Sequence, residues 1–134
     1  MIRKTIDIDG YWKVIVYFNV NYNFFNIIAN DLRALGCSRA LIKDIYFNMS
    51  TGYAKAVTVS NPDNKTSVVA YNKHKSYYDY VNSIIHEAEH VKQAMLDYYN
   101  VDDEGEPPAY TIAYIAIQML KVFADKVKIK NLTY

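Results

Sequence analysis

The chain has 134 residues, enough for one domain over residues 1–134 whose core needs no disulfide, and its single cysteine, Cys37, can form none internally. With 15 basic against 14 acidic residues the net charge is +1, which argues against the broad cationic field of a nucleic-acid binder. The first residues, "MIRKTIDIDGYWK", lack an apolar signal-peptide core, and stretches such as "YTIAYIAIQML" fall short of the roughly 20 residues that cross a bilayer. A cytoplasmic chain with no membrane segment is the expectation.

In chain order, "YWKVIVYFNV" (Tyr11 to Val20) is rich in aromatic and β-branched residues and follows an Asp9-Gly10 turn signal, which predicts a strand. From Asn23 to Leu35, Phe24, Ile27, Ile28, Leu32 and Leu35 recur at helical spacing and Gly36 supplies the stop. Ser38 is a cap for a second helix to about Phe47, with Leu41, Ile42 and Ile45 as its apolar face. Past Gly52 the period changes: "YAKAVTVS" alternates, "NPDNK" carries turn chemistry and "TSVVAY" is β-branched. These segments predict a hairpin of Tyr53 to Ser60 and Thr66 to Tyr71.

Ser76 followed by Asp79 has the form of an N-terminal capping signal and opens a long helix, on which Ile84, Ala88, Val91, Met95 and Tyr98 make one apolar stripe. His86 and His90 lie on a different face. Pro107 and Pro108 suit the first turn of a last helix, patterned through Ile112, Ile115 and Met119 to about Phe123, with a loosely held tail from about 126.

"SIIHEAEHVK" carries the chemistry. Residues four apart on a helix stack one turn above the other, so His86 and His90 can direct both imidazoles at one metal ion, with Glu87 beside it. A zinc site of this His-Glu-x-x-His form needs a third protein ligand, and Gln93 and Leu96 stand where an extended motif would place glycine and histidine. "DDEGEPPAY" offers Glu106, Glu104, Asp102 and Asp103. The return from the helix end favours Glu106, with Glu104 as the reserve. Tyr110, four residues after Glu106, shares its face and is a candidate donor to an oxyanion. Asp79, Ser83 and Asp97 lie roughly along the histidine face, where one of them could orient an imidazole. His74 reads as a solvated loop residue and Cys37 as a small buried one.

With these segments the chain resembles a minimal gluzincin-type metallopeptidase, and more closely the small metallopeptidases encoded by bacteriophages and prophages. The matching pieces are "WKVIVYFNV", "DLRALGC", "GYAKAVTVSN", "SVVAY", "YVNSIIHEAEHV" and "GEPPAYTIAYI". Several members of that group carry a glycine where Ala113 stands here. The resemblance implies an α+β, zincin-like domain in which a short twisted sheet with a β-hairpin packs on the metal helix. It implies Zn²⁺ held by His86, His90 and Glu106, with Glu87 as general base in the hydrolysis of a peptide or protein substrate. In such a domain the strand around Val68 to Tyr71 would accept an extended substrate at the sheet edge. The alternative is a non-catalytic metal-binding or peptide-binding module of a phage or mobile element.

Overall fold

The computed structural model describes residues 1–127. It is an α+β fold with a mixed four-stranded sheet and four α-helices: β1 (Ile2–Ile8), β2 (Trp12–Phe18), α1 (Phe25–Ala34), α2 (Arg39–Ser50), β3 (Ala56–Asn61), β4 (Thr66–Tyr71), α3 (Tyr77–Tyr99) and α4 (Glu106–Val127). The sheet order is β1-β2-β4-β3. β1 and β2 form one antiparallel hairpin and β3 and β4 another, and the hairpins join through the parallel pair β2 and β4.

Helices cover both faces, so the central strands are apolar on both sides. Side chains alternate along a strand, and on one face Trp12, Val14, Val16 and Phe18 of β2 join Ile6, Val69 and Tyr71 against α3 and α4. Tyr17, Val68 and Ala70 point the other way and pack with Ile28, Leu32, Ile42 and Ile45 of α1 and α2. A buried polar chain crosses the first face, where the Trp12 indole N–H donates to Ser67 Oγ at 2.9 Å and Ser67 lies 2.6 Å from Ser60 Oγ. It satisfies groups whose isolated burial would be costly.

Local chemistry sets the junctions. Asp9 and Gly10 both have positive φ, and Tyr11 N–H donates to the Ile8 carbonyl at 2.8 Å, the pattern of a tight hairpin turn. Gly36, at φ +95°, occupies the left-handed position past α1. The Ser38 and Ser76 hydroxyls accept from the backbone N–H groups of Leu41 and Asp79 and so cap α2 and α3.

Several elements differ from expectation. β1 was not anticipated. The Tyr11 to Val20 strand contracts to Trp12–Phe18, and α1 starts at Phe25 after a single 3₁₀ turn, Tyr22–Phe24. Ile28, Leu32 and Leu35 are buried as expected and are joined in the core by Phe25 and Ala29, while Phe24 and Ile27 are exposed. Leu41 and Tyr98 are also exposed, and Met49 takes the core position one turn after Ile45. The Thr66 to Tyr71 strand is internal, flanked by β2 and β3, and β3 is the edge strand beside it. α4 runs past Phe123 to Val127, and the rest of the expected loose tail lies outside the described residues. No helix among the described residues is long and apolar enough to cross a membrane.

Candidate metal and catalytic centre

α3 holds the chemistry because its capped start and wide buried face fix its rotation. Ile84, Ala88, Val91 and Met95 are buried against the sheet and α4. At about 100° per residue, Glu87 falls roughly 60° from Ile84 and His90 about 60° further round. The carboxylate is therefore drawn into the protein while the imidazoles stay outside.

Glu87 is 5% exposed. Its Oε1 accepts from the Thr58 hydroxyl at 2.9 Å, and Oε2 lies 3.9 Å from His86 Nε2. The two oxygens are thus distinguished: one is tied to the sheet and the other faces the histidine. Thr58 reaches Glu87 because its pairing with Val69 puts it on the sheet face that carries Ser67 and Tyr71. The buried Tyr71 hydroxyl is held well above its usual range, by burial first and by the nearby Glu87 charge second. Burying a carboxylate against a neutral donor is costly.

His86 and His90 converge. Their Nε2 atoms lie 3.3 Å apart with ring planes at 83°. Tetrahedral zinc with Zn–N bonds of about 2.0–2.1 Å separates two nitrogen ligands by roughly 3.3 Å, so the pair has the spacing of two corners of such a site. The fit stops at those two ligands. Among the described residues no group of three or more His, Cys, Asp or Glu side chains is arranged to hold a metal ion.

The acidic connection accounts for this. α3 ends at Asn100 in the left-handed conformation, and Val101 N–H donates back to the Leu96 carbonyl at 2.9 Å. The chain then returns along α3, where Asp103 Oδ1 meets Lys92 Nζ at 2.8 Å and Oδ2 accepts from the Gln93 amide. Lys92, 6% exposed, also pairs with Glu89 at 2.7 Å. Burial pulls the Lys92 ammonium down, but the two carboxylates more than reverse it and hold its pKa above the usual value. Asp103 is thus the acid of this segment seen anchored to α3. Glu104 is exposed in the connection, Glu106 is exposed as the first residue of α4, and neither is gathered with the histidines. Tyr110 is 69% exposed and makes no side-chain hydrogen bond with the described residues.

Of the residues expected along the histidine face, Ser83 bonds His74 Nε2 at 2.7 Å and Asp79 stands in the first turn of α3; neither holds a motif imidazole. His74 is not a solvated loop residue. It is half-buried and stacks on Tyr80 at 4.6 Å. Burial, with Lys55 adding to it, holds its pKa below the usual imidazole value. Cys37 is only partly buried, beside the α1 and α2 core. Thr58 and the Lys92–Asp103 anchor were missed from sequence, where nothing ties a strand threonine or a loop aspartate to a helix 10 to 30 residues away.

Compared with known families, curated proteins and solved structures, the chain matches no family model, no curated sequence and no solved structure.

Proposed function

We propose that the protein is a zinc-dependent peptidase of gluzincin-like, zincin-type architecture that hydrolyses a peptide or protein substrate. The observation that carries this reading is the convergence of His86 and His90 Nε2 at 3.3 Å, with a free Glu87 oxygen 3.9 Å from one of them. His86 and His90 would hold Zn²⁺, and Glu106, or Glu104 in its place, would be the third protein ligand once the connection after α3 closes on them. When bound, the metal supplies an acidified water and a Lewis acid for the substrate carbonyl.

The chain's own residues do the rest. Thr58 fixes Oε1 of Glu87, leaving Oε2 to take the proton of the attacking water and pass it to the departing amine. β3, the edge strand beside α3, offers backbone groups along which an extended peptide can pair and pass Glu87. Tyr110 is the proposed donor to the oxyanion and would reach it only on substrate binding.

Glu87→Gln separates this reading from the alternative. Peptide-library cleavage should fall by about 10²–10⁴-fold while zinc content and thermal stability hold. Equal cleavage by wild type and variant would remove Glu87 from the mechanism. A second reading, a non-catalytic metal-binding or peptide-binding module of a phage or mobile element, is favoured by the absence of a third ligand beside the histidines among the described residues. Zinc binding by a wild type that cleaves no library peptide would select it.

A further inference from the structure

Beyond the histidines, the chain forms a recess of about 360 Å³ where β4 leaves the sheet and β3 begins, lined by Lys55, Asn72, Lys73, His74, Lys75 and Asp79. Its walls are fixed. Asn72 donates its backbone N–H to the Lys55 carbonyl at 2.9 Å and its amide to the Met49 and Ala54 carbonyls at 2.9 and 3.1 Å, and it accepts from the Tyr22 hydroxyl. His74 is held by Ser83 and Tyr80. The cations are not held: Lys55, Lys73 and Lys75 make no ion pair with the described residues, and Asp79 is the one acid among the lining groups. Three lysines around a preformed recess with one carboxylate between them leave positive charge for a ligand to neutralise.

The recess is in line with the site. Ser83, which holds His74, lies one helical turn before Glu87 on α3. On the sheet, Lys55 is three residues before Thr58, or roughly 10 Å at 3.3 Å per residue. A peptide paired antiparallel to β3 runs from the Asn61 end towards Lys55, so its C-terminal side arrives at the lysines. Parallel pairing would bring the N-terminal side there, and with it the ammonium of a short peptide.

We propose that this recess is a subsite for a carboxylate about three residues C-terminal to the scissile bond, making short acidic peptides, or peptides ending there in a free carboxylate, the favoured substrates. The proposal rests on the peptidase reading for the word substrate, and on the recess alone for the carboxylate preference.

The test uses the full chain loaded with zinc and N-terminally labelled hexapeptide mixtures that differ only in the last residue, Glu or Gln, each as free acid or amide. Binding is read by fluorescence polarisation and cleavage by mass spectrometry. Carboxylate-bearing mixtures should bind about tenfold more tightly than the Gln amide at low salt, and Lys73→Gln with Lys75→Gln should erase that preference. Both lysines are exposed, so the double variant should melt with the wild type. A Glu amide as good as the Gln free acid identifies any carboxylate as the ligand; preference for the free acids alone identifies the chain terminus. Equal binding of all four mixtures, no binding, or a preference that survives the double variant overturns the subsite. Preferential binding without cleavage keeps the subsite and removes the peptidase reading, and cleavage without preference does the reverse.

Discussion

Glu87 and Thr58 show how one hydroxyl can decide which oxygen of a buried carboxylate is free. With Oε1 bound to Thr58, the oxygen that faces His86 is the one available to a water. Thr58→Val keeps the shape and removes the donor, so kcat for library peptides should fall about tenfold, the kinetic equivalent of one hydrogen bond worth roughly 1–1.5 kcal/mol. Zinc content should not change, and Thr58→Ser should restore the rate. An unchanged kcat in the valine variant would show that Glu87 is oriented without Thr58. The histidine pair was legible in sequence because helical spacing alone brings residues 86 and 90 together. Thr58 was not, because its place opposite Glu87 depends on the β3–β4 register and on α3 packing over that face.

At the scale of elements, the caps, turns and hairpin were readable because each rests on a few adjacent residues: Asp9-Gly10, Gly36, Ser38, the 62–64 turn and Ser76. β1 was hidden for another reason. Only one of its faces is covered, and "IRKTIDI" interleaves charges with its isoleucines, so the run reads as a polar terminus until β2 pairs with it. The face of α1 is shifted and not lost: Ile28, Leu32 and Leu35 are buried as their spacing predicts, while Phe24 and Ile27 fall on the exposed flank and Phe25 and Ala29 take the core side, a difference of one flank that apolar spacing alone does not resolve. Paired substitutions expose the shift. Ile28→Ala, at a site 1% exposed, should cost about 2–5 kcal/mol in urea unfolding, whereas Ile27→Ala, 40% exposed, should cost less than about 1 kcal/mol. Comparable losses at both positions would restore the face expected from sequence.

For the whole molecule, one polar cluster ties the layers together. Arg3 of β1 makes a two-pronged pair with Asp31 of α1, at 3.0 and 3.1 Å, and Tyr17 of β2 donates its hydroxyl to the same carboxylate. Burial pushes Asp31 up, but the Arg3 and Tyr17 hydrogen bonds outweigh it and leave its pKa below the ordinary value. A depressed carboxylate stabilises the fold above its unfolded pKa, near 3.9, and that contribution is lost as pH falls through the lower folded value. Asp31→Asn should therefore cost about 1–2 kcal/mol at pH 7, discounted for the half-exposed Arg3, and the gap in Tm between variant and wild type should narrow below about pH 4. A gap that stays constant to pH 3 would remove Asp31 as its source.

The proposed metal centre belongs to the same scale, because with Glu106 as its third ligand it would join α3 to the start of α4 across a connection anchored by Asp103. The most direct measurement is zinc per chain by elemental analysis on untagged protein, for the wild type, His86→Ala and Glu106→Gln. The wild type should carry about one zinc, His86→Ala none, and Glu106→Gln should retain it weakly. A wild type that stays free of zinc after the metal is added back would contradict the proposed metal centre.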